Sequence, residues 1–156
     1  NDPELGEEVY VAGFLYNFDT LNFTSGAISA LVGPEKNITQ FQLTAPIQPG
    51  NSGGPIINQY GELIGVVEAM ARDQEIFDKT GQFPENINFG IKLNAVKDFI
   101  AGNKVKNKTG FPYFKSALSN IELAEIIEST TVQLQCLNTI EARNEIKQSN
   151  KVRYLF

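Results

Sequence analysis

Glycine punctuates this chain in a way that leaves few folds open. Eleven of its 13 glycines fall before residue 100, and short apolar or β-branched runs lie between them. That is the pattern of strands joined by tight turns. The stretches 8–14 and 23–32 read as the first two strands. Gly33 and Pro34 then mark a turn. Residues 38–44 alternate apolar and polar, the period of a half-buried strand. Residues 55–58 and 63–68 read as a hairpin whose turn is Gln59-Tyr60-Gly61. A polar excursion over 72–85 leads to a last strand at 87–93. Strands this short, spaced by turns, predict an all-β unit: a six-stranded antiparallel barrel.

After the barrel the texture changes. Asn94 is placed to cap a short helix over 95–100 that Gly102 would end. The division expected is a barrel with its closing helix at 1–102 and an appendage at 103–156. The appendage opens with Lys104, Lys106 and Lys108, which read as a solvated linker. Ser119-Asn120-Ile121-Glu122 has the form of a capping box for a helix over 123–128. Residues 130–137 alternate strictly and favour a strand, with a helix running on to Lys147 as the competing reading. There is no internal repeat and no low-complexity segment.

Composition excludes several functions. The net charge is −5, which would repel both nucleic acid and anionic membranes. The aromatic content, 11 Phe and 5 Tyr, argues against disorder. A single cysteine, Cys136, forbids an internal disulfide and reads as a small buried apolar residue. With no histidine and one cysteine, no metal site or cofactor is expected. No apolar stretch is long enough to span a membrane as a helix. Asn1 reads either as a processing junction or as a cut from a longer chain.

The segment with chemical content is Gln48-Pro49-Gly50-Asn51-Ser52-Gly53-Gly54-Pro55. A barrel does not need a serine among three glycines. Those glycines permit backbone angles that a β-carbon forbids and let another backbone come close. In such a loop the amides of Gly50 and Ser52 can aim at one point. Two converging N–H groups beside a hydroxyl are the parts of an oxyanion hole next to a nucleophile. The plainer reading of Gly-x-Ser-Gly-Gly is a polar turn between strands.

The context reaches further than the loop. Trypsin-fold serine proteases of the HtrA/Deg type carry D-A-A-I-N-x-G-N-S-G-G-P-L-x-N-x-x-G-x-V-I-G-I. This chain has Thr44-Ala45-Pro46-Ile47-Gln48-Pro49-Gly50-Asn51-Ser52-Gly53-Gly54-Pro55-Ile56-Ile57-Asn58, then Gly61-Glu62-Leu63-Ile64-Gly65-Val66. Val9-Tyr10-Val11-Ala12-Gly13, Thr24-Ser25-Gly26-Ala27-Ile28-Ser29 and Ile87-Asn88-Phe89-Gly90-Ile91-Lys92 resemble the family's flanking landmarks, in order. The chain therefore resembles the second of that family's two six-stranded barrels, over residues 7 to about 100. It departs from the pattern at Thr44, at Ala45-Pro46 and at Tyr16-Asn17-Phe18. The tail does not resemble the PDZ domain that often follows.

The resemblance implies Ser52 as nucleophile, the Gly50 and Ser52 amides as oxyanion hole, and Asn51 as the residue that shapes the turn. It implies a substrate pocket walled by Ile47, Phe89, Gly90 and Ile91. No Asp in 45–51 would pair with a basic side chain, so small or medium apolar side chains are expected. Ile47 and Ile91 can equally be ordinary core. The family's catalytic His and Asp lie on the first barrel, so this chain would be inactive alone. Lys36, Lys79 and Lys92 have no motif placing them beside Ser52 as substitute bases. A non-catalytic protein-interaction module is the alternative. Expected partners are polypeptide substrates and an N-terminal barrel of the same parent. A homo-oligomer would form through the apolar face left open without that barrel. A periplasmic or secreted location follows from the resemblance alone.

Overall fold

The computed structural model describes residues 2–15, 20–68, 87–105, 114 and 116–134. The barrel strands are β1 (Glu8–Phe14), β2 (Leu21–Ala30), β3 (Gln40–Leu43), β4 (Pro55–Asn58), β5 (Leu63–Val67) and β6 (Asn88–Lys92). They close in the order β1-β2-β3-β6-β5-β4, with every neighbouring pair antiparallel. The expected all-β barrel is the structure. Two helices follow, α1 (Leu93–Gly102) and α2 (Asn120–Thr130).

Alternation along the strands sorts the side chains into an inside and an outside. Val9, Val11, Ile28, Phe41, Leu43, Ala45, Ile47, Ile56, Ile64 and Val67 form the interior cluster. Burying each such aliphatic side chain contributes about 1.5–3 kcal/mol. Phe41 is the largest fully buried one. Its ring fits because β5 and β6 carry glycine opposite it: a β-carbon on Gly90 would lie 2.6 Å from Phe41 Cζ, and one on Gly65 2.8 Å from Phe41 Cε1.

The outer face of β1 is not left to solvent. Tyr10 and Ala12 point outward and join Ile57 with Leu123 and Ile127 of α2 in a second cluster. The Tyr10 and Phe23 rings stack with centroids 5.6 Å apart. Burial, then the nearby Glu8 carboxylate, raises the Tyr10 phenol above its ordinary pKa, so it stays neutral. The capping box forms as expected: Glu122 N–H donates to Ser119 Oγ at 3.3 Å, and Ser119 N–H donates to Glu122 Oε2 at 2.8 Å. These bonds favour the ionised carboxylate and lower its pKa.

Several boundaries differ from the sequence expectation. β3 starts at Gln40 because Asn37 Oδ1 takes both Thr39 donors, N–H at 3.0 Å and Oγ1–H at 2.7 Å, in a local turn. Asn94 does not cap α1: the N-cap is Lys92, and Asn94 Nδ2 donates instead to Asp2 Oδ1 at 2.8 Å. The strand expected from residue 130 is corrected at its start. Thr130 is the last residue of α2, and Thr130 Oγ1 donates to Ile126 O at 2.8 Å. Residues 131–134 pair with no strand among the described residues, and Leu134 is 90% exposed. The helix does not run on past Thr130 either. Tyr16-Asn17-Phe18, the 72–85 excursion with Lys79, Lys106, Lys108 and Cys136 lie outside the described residues.

Phe41→Ala empties the interior where two strands have already given up their β-carbons. The expected loss in unfolding free energy, measured by urea titration, is roughly 3–5 kcal/mol.

Candidate active site

The serine-bearing loop joins β3 to β4, and its entry is stitched to two other strands. Thr44 N–H donates to Ala27 O at 3.0 Å, and Ala27 N–H donates back to Thr44 Oγ1 at 3.0 Å. Thr24 Oγ1 donates to Pro46 O at 2.9 Å. Asn88 Nδ2, buried on β6, donates to Ala45 O at 2.8 Å. Ala45 and Ile47 tuck into the barrel between these ties.

The turn itself is held by Asn51. Asn51 Oδ1 accepts from Gln48 N–H at 3.1 Å, while Asn51 N–H donates to Gln48 O at 3.0 Å. Gly54 N–H donates to Asn51 O at 2.8 Å. Gly53 N–H donates to Val67 O, and Val67 N–H returns the bond to Gly54 O, each at 2.9 Å. Gly50 and Gly53 have φ of 107° and 79°, a region that side chains disfavour.

The loop then lies down on β1 at a point where neither partner has a β-carbon. One on Gly13 would sit 2.6 Å from Asn51 Cα, and one on Gly54 would run into the Ala12 carbonyl oxygen. Asn51 is fully buried under this contact. Its Nδ2 has no hydrogen-bond partner. Ser52 stands exposed on the other side.

From Gln48 to Gly54, two backbone donors are left uncommitted. The amides of Gln48, Asn51, Gly53 and Gly54 are all committed. Proline at 49 has none. Among the described residues, the Gly50 and Ser52 amides have no acceptor, and the Ser52 hydroxyl has no partner. An exposed hydroxyl can attack an electrophile, and uncommitted N–H groups on the same turn can bind the oxygen that becomes charged. The sequence has no histidine to take the hydroxyl proton. Among the described residues no acidic, His or Cys cluster could hold a metal, and no helix is long and apolar enough to cross a membrane.

Residues 1–66, which include this loop, match the trypsin-like peptidase domain family. A serine protease HtrA-like protein of Staphylococcus aureus is 30% identical over 146 residues, covering 86% of this chain and 18% of that protein. Protease Do-like 2 of the Arabidopsis thaliana chloroplast is 32% identical over 126 residues, covering 77% of this chain and 19% of that protein. The chain is similar to trypsin-like proteases of the HtrA kind. An uncharacterized protein of Sinorhizobium fredii is 35% identical over 138 residues, covering 86% of this chain and 22% of its own length. The chain thus spans about a fifth of the curated relatives it matches. A solved serine endoprotease from Yersinia pestis aligns with TM-score 0.49 and 31% identity over 66% of this chain and 32% of that one.

Within this trypsin-type barrel the four residues expected to wall a pocket fall on two faces. Ile47 belongs to the interior cluster. Gly90 is buried and pairs with Phe41 across β3. Phe89 and Ile91 alternate with Gly90 and are half-buried on the opposite face of β6. Lys36 is exposed, Lys92 caps α1, and neither bonds to Ser52. Sequence reasoning missed Thr24, Thr44 and Asn88 as the ties that fix the loop. Asn88 left a signal, a polar residue in an otherwise apolar strand. It also missed the 2.6 Å bond from Gln40 Nε2 to Glu68 Oε2 beside β6.

Gly54→Ala and Gly53→Ala separate the two uses of glycine here. At Gly53 only the positive φ opposes a β-carbon, because the space is open, and about 1–2 kcal/mol is lost. At Gly54 the β-carbon meets backbone, so the urea midpoint falls further than for Gly53→Ala.

Proposed function

We propose that this barrel is the nucleophile-bearing half of a serine endopeptidase. Ser52 Oγ attacks the scissile carbonyl carbon, and the carbonyl oxygen takes the negative charge. The Gly50 and Ser52 amides receive that oxyanion, each worth roughly 100- to 1,000-fold in rate. Asn51 shapes the turn that presents them. The C–N bond then breaks, leaving an acyl group on Ser52 that water removes. The observation that supports this reading is that the Gly50 and Ser52 amides are uncommitted beside an exposed serine hydroxyl, while the Gln48, Asn51, Gly53 and Gly54 amides are bonded.

The proton from Ser52 goes to a histidine on this reading, and this chain has none. The reading therefore places the His and Asp on an N-terminal barrel of the same parent, with residues 1–102 inactive alone and 103–156 as an appendage. Substrates are polypeptides with small or medium apolar side chains next to the cleaved bond; of the four residues the resemblance implies for the pocket, the half-buried Phe89 and Ile91 are open to contact, while Ile47 and Gly90 are buried. The exposed apolar side chains of α1 and the loops, such as Phe99 at 70% exposure, suit the missing barrel or a second copy. The parent acts in the periplasm or outside the cell. A non-catalytic interaction module is favoured by one observation, the complete absence of histidine.

A fluorescent fluorophosphonate distinguishes the two. The parent protein is expected to label, and Ser52→Ala to abolish the label. A folded two-barrel parent that does not label would sink the enzyme reading and leave the interaction module.

A further inference from the structure

The appended helix touches the strands that carry the nucleophile loop. Leu123 and Ile127, one turn apart on α2, bury against Tyr10 and Ala12 of β1 and Ile57 of β4. Ala12 is the residue whose carbonyl meets Gly54, and its neighbour Gly13 seats Asn51. β4 begins at Pro55, directly after the loop. The helix therefore grips the outer side of both strands on whose ends the loop rests.

A second anchor fixes the helix start to the same structure. Leu118 N–H donates to Gln59 O at 2.9 Å in the β4–β5 turn. Leu118 precedes the N-cap and packs in the cluster with Leu123, the arrangement of a hydrophobic staple. Gly61 of that turn faces Leu118 and Ile126, with its missing β-carbon 3.5 Å from each side chain's Cδ1. A barrel strand needs no helix outside it to complete its hydrogen bonds, so this contact does something beyond closing the sheet.

We propose that α2 is a clasp that positions the nucleophile loop from behind β1, with Leu123 and Ile127 as its positioning residues. The idea rests on the serine protease reading for its effect on chemistry, but not for its effect on the loop. Loosening α2 frees β1 and the start of β4, and the loop loses the floor that Ala12 and Gly13 provide. Small displacements of a nucleophile and its oxyanion donors carry a large cost in rate.

The test compares Ile127→Ala with Ile64→Ala, a deletion of the same size inside the barrel, at denaturant concentrations that equalise global stability. Hydrogen exchange of the full chain is followed at the Asn51, Gly53 and Gly54 amides. Ile127→Ala is expected to speed their exchange on the order of tenfold, equivalent to ~1.4 kcal/mol of easier local opening. Ile64→Ala leaves them unchanged, and Ile127→Val, which keeps most of the contact, restores slow exchange should the alanine variant fold poorly. Equal exchange in the two alanine variants would overturn the clasp. In the parent, Ile127→Ala is also expected to slow fluorophosphonate labelling roughly 10- to 100-fold. A wild-type parent that never labels would remove the protease reading alone, because the exchange result stands without it.

Discussion

The loop around Ser52 can lie against β1 because two backbones meet there with no side chain between them. Gly13 and Gly54 both lack the β-carbon that would collide with Asn51 and with the Ala12 carbonyl. That approach buries Asn51 completely. A buried Asn51 points its carboxamide oxygen back at Gln48, which closes the turn and turns the residues on either side outward. The exposed Ser52 and its two free amides are therefore a consequence of packing on the far side of the loop. The arrangement also carries a cost: Asn51 Nδ2 is left buried and unpartnered, a loss on the order of 1–3 kcal/mol. The ties from Thr24, Thr44 and Asn88 offset part of it by fixing the loop's entry.

Much of this was legible in the residues. Short apolar runs between turn residues placed all six strands, with alternation marking the one at 38–44. The Ser119–Glu122 spacing found the second helix cap because both bonds are local. What the sequence obscured depends on distant partners. Asn94 looks like a cap, yet its amide is taken by Asp2, 92 residues away. The β-branched run from Thr130 looks like a strand, but its first hydroxyl serves the helix end and no sheet edge meets residues 131–134. In the loop, the ties from Thr24 and Asn88 became visible only once β2 and β6 were in place.

On the proposed reading the barrel supplies one half of an acid–base arrangement: a floor made by β1, two uncommitted amides and a hydroxyl, all from backbone and small side chains. A division of this kind separates positioning from proton transfer: preorganised amides need a stiff scaffold, while the base needs only to arrive from a neighbouring surface. The appended α2 adds stiffness at the one strand whose displacement would be felt by the loop.

The proposed role of the Gly50 and Ser52 amides is to receive a developing oxyanion. A crystal structure of the parent protein with a peptide boronic acid tests it most directly, since a tetrahedral boronate imitates the charged intermediate. The account predicts a bond from Ser52 Oγ to boron, with one boronate oxygen about 2.7–3.1 Å from both amides. A boronate bound elsewhere, or one on Ser52 whose oxygens face away from Gly50 N–H, would contradict it.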